Sequence, residues 1–141
     1  METNISYLAV LLAGVSSMVV GFLWYGVLFK KHWMEMMGYT SESMAGMKMS
    51  ANKAYLLQFV ASFVMACVLA HFIRLGMLYF PDVSALKAGV HSAFWAWLGF
   101  VAPVTLGVVL WENKPWKLWL INTSNYLVSL VVMGVILSLW E

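Results

Sequence analysis

Four long apolar segments occupy most of this chain, at residues 5–29, 54–73, 84–111 and 118–140. About 20 residues of helix span a hydrocarbon core about 30 Å thick, and each segment reaches that length. The segments are continuously apolar and lack the alternation of membrane strands, so their backbone groups must bond within helices. The pattern predicts an all-α integral membrane bundle of four transmembrane helices.

Composition agrees with a membrane location. Of the residues, 63% are hydrophobic and 10% are charged, whereas a soluble domain has about 25% charged residues. The short connections predict a single domain, residues 1–141, with no room for a second. The net charge of +2 argues against a nucleic-acid partner. The lone cysteine, Cys67, has no partner for an internal disulfide.

Lysines predict the orientation in the membrane. The second connection holds Arg74 and lies close to Lys87, whereas six lysines lie in the first and third connections: Lys30, Lys31, Lys48, Lys53, Lys114 and Lys117. Because cytoplasmic loops are rich in Lys and Arg, these two connections are predicted to be cytoplasmic and both termini outside. No basic region precedes the first segment, so we expect it to remain as a span rather than be removed as a signal peptide.

The first connection, residues 30–53, is rich in methionine: it holds Met34, Met36, Met37, Met44, Met47 and Met49. Thioethers bind Cu(I), but no cysteine lies nearby. We favour an amphipathic cytoplasmic connector at the headgroup boundary, made of a short helix ended by Gly38 and a second helix capped by Ser41 or Ser43. The apolar faces of the two helices are predicted to carry Trp33, Met34 and Met37, then Met44, Met47 and Ala51.

Small residues recur at every fourth position in the first two segments. Helices in lipid gain little hydrophobic energy by meeting, so small residues that let backbones touch mark the contact faces. The predicted packing residues are Ala13, Ser17 and Gly21 in the first segment, and Ser62, Ala66 and Ala70 in the second. In the third segment Pro103 has no N–H to donate to the Gly99 carbonyl, which predicts a kink.

Aromatic residues cluster near the predicted cytoplasmic boundary. Their amphipathic rings prefer the headgroup region. We therefore expect the following residues to act as interfacial anchors: Trp24, Tyr25, Trp33, Trp111, Trp116 and Trp119. Trp95 and Trp97 lie deeper in the third segment, where packing against small residues is favoured over lining a pocket.

Three motifs resemble a known family. They are G-F-L-W-Y-G-x-L-F-x-x-x-W at residues 21–33, W-L-G-F-V at residues 97–101, and L-I-N at residues 120–122 followed by Tyr126. Together they are similar to the domain-of-unknown-function 1761 family, and the resemblance covers nearly the whole chain. It implies a small four-helix protein of the bacterial inner membrane. The family has no established activity, so the resemblance implies no role for particular residues.

Two histidines inside the apolar segments are candidate ligands, because polar groups are costly in lipid and mark functional sites. His71 and His91 are expected at similar depth near the outer ends of their segments, where two neutral imidazoles are able to ligate haem iron or another metal. Two histidines with no carboxylate beside them are too few for a closed zinc site. We favour local hydrogen bonding and expect no cofactor.

A second polar group lies in the cytoplasmic half of the bundle. It consists of Gln58, Asn122, Asn125, Tyr126 and Ser129. Such side chains hydrogen-bond between helices, which is the favoured interpretation. A polar permeation path is the alternative, although residues 130–139 in the outer half of the last segment are almost wholly apolar.

Three functions remain open. The favoured one is a non-catalytic bundle that acts through helix–helix or lipid contacts, with membrane lipids, or further copies of the chain in a homo-oligomer, as partners. The alternatives are a small transporter or channel component for a small solute or ion, and a haem or metal redox protein that uses His71 and His91. Transport would be favoured if Gln58, Asn122 and Asn125 lined one cavity. No catalytic motif and no carboxylate pair on one helix face is present, so we expect no enzyme.

The orientation can be tested by labelling single cysteines in a Cys67→Ser background. Ser43→Cys and Lys114→Cys should resist a membrane-impermeant thiol reagent in intact cells, whereas Asp82→Cys should react, because lysine-rich loops stay in the cytoplasm. The reverse labelling pattern would contradict the predicted orientation.

Overall fold

A computed structural model of the chain describes residues 4–140. Four helices are long and apolar enough to cross a membrane: Tyr7–Leu28, Ala51–Tyr79, Ala85–Leu110 and Trp116–Ser138. We call them the first to fourth spans. The described residues form no strand, so the predicted all-α class with four spans is confirmed. The predicted position of the termini concerns residues 1–3 and 141, which lie outside the described residues.

The second span extends well beyond its predicted limits of residues 54–73. It begins after Ser50, whose side chain accepts a hydrogen bond from the Lys53 amide, and continues to Tyr79. Its 29 residues make a helix about 44 Å long at 1.5 Å per residue, longer than the ~30 Å hydrocarbon core. The distance along the helix from Lys53 to Arg74 is about 32 Å. The separation of these two cations thus matches the thickness of the hydrocarbon core, and both helix ends extend past them.

The spans form an up-and-down bundle in which each packs against its neighbours in sequence and the fourth also packs against the first. This order brings the first and third connections together, and Lys117 Nζ lies 3.3 Å from His32 Nδ1. At the opposite end, Arg74 donates a hydrogen bond of 2.6 Å to the carbonyl of Asn4. We call these two ends the lysine-rich end and the arginine end.

The closest approach between spans joins Gly89 of the third span to Gly134 of the fourth. A Cβ added at Gly134 would lie 2.5 Å from the carbonyl oxygen of Gly89. A Cβ added at Gly89 would come similarly close to the carbonyl oxygen of Gly134. Real Cβ atoms do not come this close to a carbonyl oxygen. Glycine is therefore required on both sides, and the two backbones touch near the arginine end.

The predicted packing residues are buried to different degrees. Ser62, Ala66 and Ala70 of the second span are all buried in the core, as is Ala13 of the first span. Ser17 is half-buried. The expected backbone contact at Gly21 does not occur, because nothing lies within 4 Å of the position its Cβ would take. A cavity borders Gly21 instead.

Two stretches of the spans are π-helical. They are Leu23–Leu28 in the first span and Trp97–Val101 in the third. In each, an amide bonds to the carbonyl five residues earlier, as in the 2.8 Å bond from Phe29 to Trp24. Pro103 is the second residue after the second stretch, and the third span is interrupted again at Leu106. The kink expected at Pro103 thus corresponds to a break, where the missing N–H and the inserted residue both displace the hydrogen-bond ladder.

Two short helices, Lys30–Met37 and Ser41–Ala45, connect the first and second spans. Gly38 ends the first of them with a φ of 72°, which agrees with the sequence prediction. The cap of the second was predicted wrongly: the side chain of Thr40 accepts a hydrogen bond from the amide of Ser43 at 3.1 Å, so the cap precedes both predicted serines and the helix begins at Ser41. Met47 and Ala51 do not lie on it, because it ends at Ala45.

The glycine contact predicts that Gly134→Ala destabilises the bundle. We expect the free energy of unfolding to fall by about 1 to 3 kcal/mol, because the added methyl group separates the backbones of the third and fourth spans. Unfolding in mild detergent titrated with dodecyl sulfate measures this. The matched control is Gly21→Ala, which has open space and should be neutral or stabilising by up to about 1 kcal/mol. Equal effects of the two substitutions would contradict the assigned contact.

Candidate functional site

Three tryptophans join the spans by hydrogen bonds nearer the lysine-rich end. The indole N–H groups of Trp24, Trp97 and Trp119 each donate to a backbone carbonyl of another span. The acceptors are, in that order, Ile121 at 3.0 Å, Thr123 at 2.9 Å and Ala102 at 3.3 Å. We call these three tryptophans the indole clamp. The clamp ties the first and third spans to the fourth at one level.

The π-helical stretches supply two members of the clamp. Trp24 lies in the stretch of the first span and Trp97 begins that of the third. A π-helical stretch contains one inserted residue, which disturbs the regular pairing of backbone groups in an α-helix. Such stretches are frequent at functional sites. Trp97 also donates to Thr123 Oγ1 at 3.1 Å. Each indole N–H thereby finds the partner that an apolar surrounding requires.

These bonds revise the predicted role of three aromatic residues. Trp24, Tyr25 and Trp119 were expected to anchor the bundle at the headgroups, but all three are partly buried and bonded to other spans. The hydroxyl of Tyr25 donates to Asn122 Oδ1 at 2.9 Å. Sequence reasoning missed this role because an amphipathic ring suits a headgroup and a buried carbonyl equally well.

The other predicted anchors have different surroundings. Trp111 and Trp116 are 86% and 57% exposed at the lysine-rich end, where an anchor is expected to lie. Trp33 lies on the first connector helix and is partly buried. Its ring packs between those of Tyr25 and Tyr39, with centroid distances of 5.6 and 5.4 Å. The connector is thus packed against the end of the first span.

A cavity of about 160 Å³ lies between the first, second and fourth spans. We call it the polar cavity. Its lining combines hydroxyl and amide groups with two thioethers and one glycine: Ser17, Tyr25, Tyr55, Gln58, Asn125 and Tyr126, then Met18, Met65 and Gly21. No Asp, Glu, Lys, Arg or His is among these lining residues. The cavity is therefore rich in hydrogen-bonding groups and uncharged.

Asn125 is the lining residue that most needs a hydrogen-bond partner. The residue is 7% exposed, and its Oδ1 is buried with no partner among the described residues. A buried polar group left without a partner costs about 1 to 3 kcal/mol. Ser62 Oγ also lacks a partner, but Ser62 does not line the polar cavity. Asn125 is therefore a buried group without a partner among the described residues that borders a cavity able to hold one.

The structure brings most of the predicted polar group together. Gln58, Asn125 and Tyr126 line the polar cavity, and Asn122 is joined to its edge through Tyr25. Ser129 is buried and does not line the cavity. Sequence reasoning missed Tyr55, although its position three residues before Gln58 places it on the same helix face.

The two histidines have different surroundings. His71 lies on an exposed face, and its Nδ1 is 2.7 Å from the carbonyl of Cys67 on the same helix. His91 lines a hollow between the second and third spans, and His71 is not among the residues that line it. Within residues 4–140, no three or more His, Cys, Asp or Glu side chains form a group that could hold a metal ion.

An apolar groove separates the second and third spans. It consists of two adjoining hollows of about 480 and 360 Å³, which share Phe72, Ala96 and Phe100. His91 and Ser92 provide its polar side chains, both in the hollow nearer the arginine end. We call it the lateral groove. Its open side faces away from the bundle core, because Phe100 is 72% exposed.

Comparison with known families agrees with the sequence motifs. The family model described as protein of unknown function (DUF1761) matches residues 8–138. The chain belongs to the DUF1761 family. No curated protein and no solved structure matches it. In this DUF1761 protein the motifs at residues 21–33 and 97–101 contain the two π-helical stretches, and the motif at residues 120–122 supplies the carbonyl that accepts from Trp24.

Proposed function

We propose that this DUF1761 protein is a non-catalytic protein of the bacterial inner membrane that acts through lipid contacts, and that the lateral groove holds one acyl chain of a membrane phospholipid. The observation that supports the proposal is the lateral groove itself. It is long, apolar and open at the side of the bundle, as a site for a lipid tail must be.

The length of the lateral groove suits one lipid tail. Its lining runs from Gly76 to Val64 on the second span and from Ala88 to Val101 on the third. At 1.5 Å per residue these stretches are about 18 and 20 Å long. Half of the ~30 Å hydrocarbon core is slightly shorter, at about 15 Å. The groove therefore covers one leaflet, in the half of the membrane nearer the arginine end.

The polar end of the groove suits the glycerol and phosphate part of the lipid. His91 and Ser92 lie in the hollow nearer the arginine end. Lys87 is four residues before His91, so it lies one turn nearer the headgroups on the same helix face. A cation at that level attracts the phosphate, while the apolar hollows take the tail.

The proposed orientation and the proposed non-catalytic role rest on the distribution of charged residues. The positive-inside rule supports a cytoplasmic position for the lysine-rich end, and with that orientation the lateral groove lies in the outer leaflet. The described carboxylates, which are those of Glu35, Glu42, Asp82 and Glu112, lie in or beside the connections. Acid–base catalysis requires positioned titratable groups in a cleft, and the polar cavity is lined by uncharged side chains.

A small transporter or channel component is the second candidate, because Gln58 and Asn125 line one cavity and Asn122 borders it through Tyr25. A through-path also needs polar groups beyond the cavity. Toward the arginine end the bundle is closed by the fully buried side chains of Val10 and Met133. Lipid binding requires no such opening, so we place it first. A redox role for His71 and His91 has less support, because their surroundings differ.

The lipid proposal predicts that protein purified in mild detergent retains phospholipid in a fixed ratio to the chain, seen by native mass spectrometry. Ala96→Trp should reduce the retained lipid, because the indole fills the point where the two hollows join. The matched control is Val104→Trp, which adds the same ring at a position that is 75% exposed and lines neither hollow.

Equal lipid retention in the two folded variants would contradict the proposal. The wild-type protein could instead prove to be a dimer that is dissociated by Ala96→Trp but not by Val104→Trp. That result would show that a second copy, rather than a lipid, occupies the lateral groove.

A further inference from the structure

We propose that the polar cavity binds a small uncharged solute that both donates and accepts hydrogen bonds, of the amide or polyol class. The inference goes beyond the lipid proposal and does not depend on it, because the polar cavity and the lateral groove are separate sites. They have no lining residue in common except Met65. The polar cavity lies among the first, second and fourth spans, whereas the lateral groove lies between the second and third.

The unpaired amide oxygen of Asn125 points to a ligand rather than to packing. The chain holds an uncompensated polar group in a site that is 7% exposed, which is costly in a folded protein. Tyr25, by contrast, lines the cavity and is held in place by its bond to Asn122, which leaves its hydroxyl oxygen able to accept a hydrogen bond. A solute that donates hydrogen bonds to Asn125 Oδ1 and to the hydroxyl oxygen of Tyr25 would satisfy the unpaired amide oxygen.

The hydrogen-bonding capacity of the lining is mixed. Amides and tyrosine hydroxyls both donate and accept, so Gln58, Asn125 and the three tyrosines match a ligand with groups of both kinds. Met18 and Met65 form apolar parts of the wall, and their flexible thioethers adapt to irregular shapes. This combination suits a solute with a polar side and a short hydrocarbon side.

Charge and size limit the class further. A charged solute in the bilayer interior needs an opposite charge beside it, and the lining residues supply none. The volume of about 160 Å³ leaves room for several water molecules or one small organic molecule. The size and the uncharged lining therefore favour small neutral molecules over ions.

The mouth of the polar cavity lies near the lysine-rich end. Tyr55 is 62% exposed and Gln58 is exposed, whereas Asn125 is buried. Tyr55 and Gln58 are two and five residues from Lys53, which is about 3 and 8 Å along the helix. A solute in the headgroup region on that side reaches the cavity without crossing the membrane.

The test is fluorine NMR of the detergent-purified full chain labelled with 3-fluorotyrosine. Acetamide and glycerol are the neutral probes, and acetate is the charged counterpart of acetamide. We expect the neutral probes to shift the resonances of Tyr25, Tyr55 and Tyr126 saturably, and acetate to leave them in place. The exposed Tyr7 and Tyr79, which do not line the cavity, are internal controls and should not respond.

Variants separate binding from folding. Gly21→Leu places its side chain in open space beside the cavity, so it should abolish the saturable shifts, whereas Val19→Leu on an exposed face should not. Asn125→Leu should weaken binding about tenfold or more without lowering the melting temperature, because the amide oxygen it removes has no partner among the described residues.

Three results would overturn the inference. They are the absence of saturable shifts with both neutral probes in folded protein, an equal response to acetate, and unchanged shifts in Gly21→Leu. The first result means that the cavity holds water only. Because none of these results depends on retained phospholipid, they are distinct from a failure of the lipid proposal.

Discussion

The bilayer offers no water to polar groups, so the backbone N–H and carbonyl groups in this bundle need partners within the protein, and buried side-chain donors gain from one as well. The indole clamp is the clearest response to that constraint. Trp24, Trp97 and Trp119 carry large apolar rings that suit lipid, and each places its one polar group on a backbone carbonyl of another span. The clamp thus adds directional bonds where the hydrophobic effect contributes little to helix association.

The fourth span takes part in both the indole clamp and the glycine contact. At the lysine-rich end the clamp binds it to the first and third spans, and toward the arginine end Gly134 touches the backbone of Gly89. The second span takes part in neither contact. The polar cavity and the lateral groove both border this second span. The two candidate binding sites therefore lie beside the span that the indole clamp and the glycine contact do not include.

Sequence reasoning recovered the features that depend on length and composition. The four apolar segments predicted the four spans, and the polar residues of the last segment were recognised, but the contact glycines were not. A stripe of small residues shows where backbones are able to meet, and only packing decides that Gly89 and Gly134 do so while Gly21 borders a cavity. The inward role of Trp24 and Tyr25 depends on a π-helical stretch, which has no sequence period of its own.

Exchange of indole protons with deuterium tests the central claim most directly. In protein labelled with ¹⁵N-tryptophan, the N–H signals of Trp24, Trp97 and Trp119 should exchange much more slowly than those of the exposed Trp111 and Trp116, because only the first three are bonded to carbonyls inside the bundle. Single Trp→Phe substitutions assign the signals. Equal exchange rates for the two sets would show that the indole clamp does not hold the spans together.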